Sequence, residues 1–328
     1  MSSMLGDMNL LTEGILASPL WESHPDYPDG WKAVVDSGIT SLGKGYGTQS
    51  HEVWTHALEM ARSMGYHDLH APVADHVLGN MLLGNLSESK TFALAFATGR
   101  RLDDGRSLCR ANTLWGGVSE NTLVVEEDGL RLLNESLAIV SRVGGDGSWI
   151  GEAEYDCDGG DRIAWSEVES GWVKEAWSVL LLSQVLGALV RVTDSAIAYA
   201  DLREQFGRKI RSFQRVQDLI CIAVEETLIM SGLLVNCITM EEQRLSSFNI
   251  SLTSSHARQC VRRVVQAVHQ TYGAMGFTEE AGIGGRTSSA IAWSQAVSGL
   301  NAWEERTLEL MPRQWIGMSL LEREGEEE

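Results

Sequence analysis

One short stretch of this chain concentrates groups that can hold a charged ligand: Arg203, Phe206-Gly207 and Phe213-Gln214. A guanidinium at position 203 can reach a pyrophosphate by paired hydrogen bonds. In the last turn of a helix, the same cation is favoured electrostatically without any ligand. Phe206 can be a core anchor or a ring stacked near a nucleotide. Gln214 can be a polar helix-start residue or an amide donor to a cofactor. Arg203, Arg208, Lys209, Arg211 and Arg215 form a basic cluster in a chain whose net charge is -19. Such a cluster reads either as a solvated helix start or as a local anion site that overrides the global sign.

Other chemistries find less support. The strongly negative field repels phosphate backbones and anionic lipid, so neither nucleic acid nor membrane is an expected partner. No glycine-rich loop follows an expected strand, and no serine-nucleophile motif is present. Among the eight histidines, His51 and His56 sit five apart and His67 and His70 three apart. Those spacings read as surface or capping residues, and no metal site is expected. The five cysteines, at 109, 157, 221, 237 and 260, are scattered and odd in number, which predicts a reduced, cytoplasmic protein. The N-terminus has no basic region followed by an apolar run, so no signal peptide is expected. The apolar stretch from Trp177 to Val190 is interrupted by Ser183, Gln184 and Gly187 and is too short to span a membrane.

The elements that must position these groups fall into three zones. Residues 1–86 predict an N-terminal helical domain, with one helix over Trp54–Met64 stopped by Gly65 and another over Ala71–Leu83. Residues 87–169 predict a small antiparallel β domain. Its strand signals are Thr91–Phe96, Asn121–Val125, Leu130–Leu133, Leu137–Val140 and Arg162–Trp165. Turns are expected at Glu126–Gly129, Gly144–Gly147 and Gly159–Asp161. Residues 170–328 predict a C-terminal four-helix bundle, with helices over Trp172–Arg203, Gln214–Gln243, Ser254–Tyr272 and Ser288–Met311. The fold class is therefore α+β and multidomain: helices, a small sheet, then a bundle.

Two motifs in order add a resemblance. Arg203, two variable residues, Phe206-Gly207 and then Phe213-Gln214 resemble a signature of the acyl-CoA dehydrogenase family. The stretch Gln270-Thr-Tyr-Gly273-Ala-Met-Gly276-Phe277-Thr278-Glu279-Glu280 is similar to a second signature of that family. The resemblance implies an acyl-CoA dehydrogenase-like fold and FAD as cofactor. It further implies that Arg203, Phe206, Gln214, Gln270 and Gly273 reach the pyrophosphate and adenosine end of an FAD held mainly by the neighbouring subunit. Ala274 stands where the family has a second glycine and adds a methyl group at that approach.

The chain departs from the family in two places. The Thr-Glu-Pro stretch that, with a Gly-Ser pair after it, holds the flavin ring is not found between residues 88 and 168, and the nearest text is Ala95-Phe-Ala-Thr98-Gly-Arg. The family's common C-terminal base motif is also absent. In a minority of members the base lies at the end of the helix after the first motif, which counts to Glu242, beside Glu241. There a carboxylate would remove the proton next to the thioester carbonyl of an acyl-CoA. Both acids also read as solvated helix-end residues. The pattern resembles the short subunit of α2β2 steroid side-chain acyl-CoA dehydrogenases, in which a longer subunit carries the flavin cradle and base. Electron-transfer flavoprotein is then the implied acceptor. The alternatives are a homo-oligomeric enzyme using Glu242 and a non-catalytic dehydrogenase-like scaffold.

Overall fold

The structure is a computed structural model. It describes residues 31, 51–83, 91–101, 108–126, 129–142, 151–163, 170–239, 244–300 and 302–311. The expected turn at 144–147 lies outside these residues. So do positions 127–128 of the expected turn at 126–129, although Glu126 N–H donates to the Gly129 carbonyl at 2.9 Å across it.

Helix α1 (His51–Tyr66) and helix α2 (Val73–Leu83) come first. Seven strands follow: β1 (Phe92–Arg101), β2 (Leu108–Thr113), β3 (Asn121–Val125), β4 (Leu130–Leu133), β5 (Ala138–Arg142), β6 (Gly151–Asp156) and β7 (Asp161–Ile163). They form one sheet in the order β5-β6-β2-β1-β3-β4-β7. Its pairs are antiparallel except β1–β3, which run parallel. Strands β2 and β6 carried no expected signal. Their sequences, LCRANT and GEAEYD, are poor in branched and aromatic residues. They form because Ala111 and Ala153 pair across the ladder and bury completely, while Arg110 bridges Glu152 at 2.9 Å on the other face.

Helix α3 (Ser170–Leu202) is the spine of the molecule. Its apolar residues run all round, as a helix wrapped by neighbours requires. It is long and apolar enough to cross a membrane by composition, yet 89% of its most apolar window is buried inside the protein. Two glycines set its distance from α1. A Cβ on Gly187 would lie 1.8 Å from the Arg62 carbonyl oxygen, and one on Gly65 would lie 1.7 Å from the Gln184 carbonyl oxygen. Backbone therefore meets backbone at this crossing, and only glycine fits on either side.

The remaining helices depart from the expected limits. Helix α4 (Gln214–Val235) stops at Asn236, short of Gln243, because the chain turns into a small hairpin, Ile238–Thr239 paired with Arg244–Leu245. Helix α5 (Ser247–Tyr272) starts seven residues before Ser254, since the Ser246 hydroxyl accepts the Asn249 N–H at 3.4 Å and caps it. The expected helix over Ser288–Met311 is two helices, α6 (Ile283–Ser298) and α7 (Trp303–Leu310). Gly299 closes α6, and the break lets the Trp303 indole fold back and donate to the Val297 carbonyl at 2.7 Å. That indole is buried, which a continuous helix would not have permitted.

One buried carboxylate ties the three layers. Asp75, on α2, accepts the Leu94 N–H of β1 at 3.0 Å and the Trp177 indole N–H of α3 at 2.6 Å. Burial pushes its pKa up to about 7, while these two donors act in the opposite sense. In the unfolded chain it titrates near 3.8. The folded state thus holds the proton more tightly. The resulting stability is fully present below the unfolded value and is lost as pH rises through about 7. Asp75→Asn cannot titrate and turns an amide N–H toward one of the two donors. It should be less stable than wild type near pH 4, with the gap narrowing toward pH 7 by a few kcal/mol at most. Urea unfolding of both proteins across that range checks this, and a pH-independent gap would show that Asp75 does not titrate there.

Candidate functional site

At the end of α3 the chain makes a two-residue hairpin. Strand β8 (Glu204–Gln205) pairs with β9 (Arg208–Lys209), with Phe206 and Gly207 at the tip. Both tip residues have positive φ, 53° and 76°, the signature of a type I′ turn. Glycine takes that conformation freely, whereas a phenylalanine there is strained. The Phe206 ring gains little in exchange. It is 92% exposed, and its one ring contact among the described residues is edge-to-face with Phe213, with centroids 6.2 Å apart. The hairpin is closed at its base by Ile210 N–H donating to the Arg203 carbonyl at 2.9 Å.

The basic cluster resolves into distinct tasks. Arg211 pairs with Asp201 at 3.0 Å, and Lys209 lies 3.5 Å from the same carboxylate. Arg208 stacks over the Phe213 ring at 4.1 Å. Arg215 donates to the Gln270 side-chain oxygen at 3.2 Å. The exposed Arg203 guanidinium has no side-chain partner among the described residues. Asp201 went unnoticed in the sequence, although a carboxylate two residues before the basic run was a readable signal. It fixes the shape of the loop, leaving Arg203 unengaged.

The Arg215–Gln270 bond brings the two sequence motifs together, joining the start of α4 to the end of α5. Gln214 is exposed, and its amide donates to Asp218 at 2.8 Å, a local pairing on its own helix. Gly273 ends α5 at φ 60°, and a Cβ there would meet nothing within 4 Å. Its backbone therefore faces open space. Phe277, four residues on, is 81% exposed. Between α4 and α5 lies a groove of about 250 Å³, lined by Arg215, Gln266 and Gln270 at one end and by Glu226 and Arg263 at the other. Glu242 falls between Thr239 and Arg244, outside the described residues, and the helix on which its position was counted ends at Val235.

A second cavity, of about 320 Å³, opens between the sheet and the helices. Phe96 and Trp177 form its apolar wall, packed edge to face at 5.3 Å. Asn112, Ser141 and Gln295 bring polar groups, while Thr113 spends its hydroxyl on the Leu94 carbonyl at 2.8 Å. Thr98, the threonine nearest to the missing ring-binding stretch, is exposed and donates to the Arg110 carbonyl at 3.2 Å.

Comparison with known proteins adds to this geometry. Residues 178–294 match the family described as acyl-CoA dehydrogenase, C-terminal domain. No curated protein matches the chain in sequence. Among solved structures, the ChsE4–ChsE5 complex from Mycobacterium tuberculosis superposes with a TM-score of 0.72 at 16% identity, over 93% of this chain and 96% of that one. The Tcur3481–Tcur3483 steroid ACAD variant gives 0.73 at 14% identity, over 94% and 98%. Butyryl-CoA dehydrogenase from Megasphaera elsdenii gives 0.67 at 13% identity, over 93% and 97%. The likeness at these identities is one of fold.

The hairpin tip generates a test of its own. Phe206→Gly removes the left-handed strain at little cost in contacts. It should raise the stability of the isolated chain by up to about 1 kcal/mol in urea unfolding. A loss of stability would instead mean that the ring's contact with Phe213 outweighs the strain.

Proposed function

We propose that this chain, an acyl-CoA dehydrogenase family member by its fold and its helical segment 178–294, is the short subunit of an FAD-dependent acyl-CoA dehydrogenase. In this reading it completes an FAD site held mainly by a longer partner in an α2β2 assembly. The observation that carries it is the unengaged Arg203 guanidinium beside the strained, outward-pointing Phe206 ring. A side chain held in a costly conformation to face solvent is explained by a ligand that arrives from outside.

The residues fit the pyrophosphate and adenosine end of such a cofactor. Arg203 can form two charged hydrogen bonds to a pyrophosphate. The open backbone at Gly273 and the amides of Gln214 and Gln270 can approach the same group once the local Gln214–Asp218 pairing opens. When bound, FAD would supply the hydride acceptor for α,β-dehydrogenation of an acyl-CoA thioester. This chain's part is to hold the far end of the cofactor and to exclude water from it.

Two further observations favour a partner over a self-sufficient enzyme. Phe96 and Trp177 give the sheet–helix cavity an apolar wall, and Thr113 spends its hydroxyl on the Leu94 carbonyl, so part of the lining that a flavin ring would use is apolar or already engaged. On α4, Ile222 with Ile229 and Leu228 with Val235 repeat at seven residues and are all exposed, an apolar face of the kind that subunits bury. A steroid side-chain CoA is the acyl substrate we favour, and electron-transfer flavoprotein is the acceptor. The charge and the scattered thiols suit the cytoplasm.

Visible spectra decide between the readings. Expressed alone, the chain should be colourless. Co-expressed with a longer homologue, it should purify as a yellow complex with stoichiometric FAD and dehydrogenase activity. Yellow, active protein from this chain alone would support a homo-oligomer using Glu242 instead, and no flavin under either condition would support a scaffold. Within the complex, Arg203→Ala should weaken FAD retention by about 10- to 100-fold, the equivalent of a lost charged hydrogen bond of about 1.5–3 kcal/mol. Unchanged FAD content would remove Arg203 from the site.

A further inference from the structure

Beneath the α4–α5 groove lies a cluster that the flavin reading does not use. Glu226 on α4 faces His256 and Cys260 on α5, and one ligand atom from each lies within 4.8 Å of the other two. The histidine and the cysteine are one helical turn apart, so α5 presents both on one face. The sequence reading missed this pair because it weighed histidines only against other histidines.

The Glu226 side chain is 95% buried, with a relative exposure of 5%. One of its oxygens is engaged by Arg263. The other, Oε2, has no hydrogen-bond partner, and neither has His256 Nε2. These two atoms lie 3.6 Å apart, an ion pair when the imidazole is protonated but too far for a hydrogen bond. That separation suits two ligands of one ion, since bonds of about 2.0–2.1 Å in tetrahedral geometry place neighbouring ligands about 3.4 Å apart. The Cys260 thiol donates to the Glu226 backbone carbonyl at 3.3 Å, a bond it gives up when it coordinates as a thiolate.

We propose that Glu226, His256 and Cys260 bind a borderline-soft divalent cation, zinc by preference, which clips α4 to α5 beneath the groove. Carboxylate, imidazole and thiolate are a zinc donor set, and three protein ligands leave the fourth tetrahedral position to water. On binding, Cys260 Sγ loses its proton to solvent, His256 coordinates through neutral Nε2, and Glu226 coordinates through Oε2 while Arg263 stays on the other oxygen. No electron is transferred. The clip orders the two helices that carry Gln214 and Gln270, but its formation does not require flavin.

The test uses the full-length chain, metal-free and then given one equivalent of Zn²⁺ or Co²⁺. After dialysis, one zinc per chain should remain. The cobalt form should show a thiolate-to-metal charge-transfer band, and zinc should raise the melting temperature. Cys260→Ser should abolish the band, and His256→Ala should abolish both zinc retention and the thermal shift. His256 is a quarter exposed, so its replacement should leave the circular dichroism spectrum intact and keep the test decisive if Cys260→Ser misfolds. Zinc lost on dialysis, or a cobalt band that persists in Cys260→Ser, would overturn the proposal. FAD content, read on the same samples, reports separately on the flavin reading.

Discussion

The carboxylate of Asp75 is where the layers of this protein converge. A charge in that position is costly, and the cost is contained because both oxygens receive a donor, one from the sheet and one from the spine helix. Neither donor could be supplied by α2 itself. The helix, the first strand and the indole of Trp177 must therefore arrive together. Much of the local architecture follows from this. With Trp177 fixed, its edge meets Phe96 and defines the cavity wall between sheet and bundle. With α3 held there, its far end, roughly seven turns on, delivers Arg203 and the hairpin to the surface.

The molecule thus has two candidate ligand regions of opposite character. The inner cavity is enclosed on one side by aromatic rings, and part of its hydroxyl chemistry is already consumed by the sheet. The outer surface at the hairpin offers an unengaged cation, an exposed ring and an open helix terminus. Around that surface Asp201, Phe213 and Gln270 each hold one or two of the neighbouring cations. Local pairing has thereby sorted a cluster of five basic residues into four that shape the loop and one that is available.

The sequence made the order of elements legible because helical periodicity over α1 to α5 is long, and long periodic signals survive tertiary context. It also made the two motifs legible, since both sit at helix ends where spacing is rigid. Strands β2 and β6 were not legible. Their stability comes from a cross-strand partner about forty residues away, as with Arg110 and Glu152, and not from local propensity. The helix limits at Val235 and Gly299 were equally hidden. In each case the chain ends a helix that propensity would continue, because a hairpin or a returning indole gains more from the break. The strain at Phe206 is a third example, since nothing in the residue types announces a left-handed phenylalanine.

The glycine crossing of α1 and α3 has a consequence for how this architecture can vary. At Gly65 and Gly187 the two helices are spaced by peptide groups, which every residue carries, and not by the volumes of interlocking side chains. Such a contact is indifferent to what the rest of each helix presents. Substitutions elsewhere along the pair can accumulate without altering the distance between them, provided the two glycines stay. The geometry of the pair is thereby partly uncoupled from its composition, which is one physical route by which a fold outlasts the sequence that first encoded it.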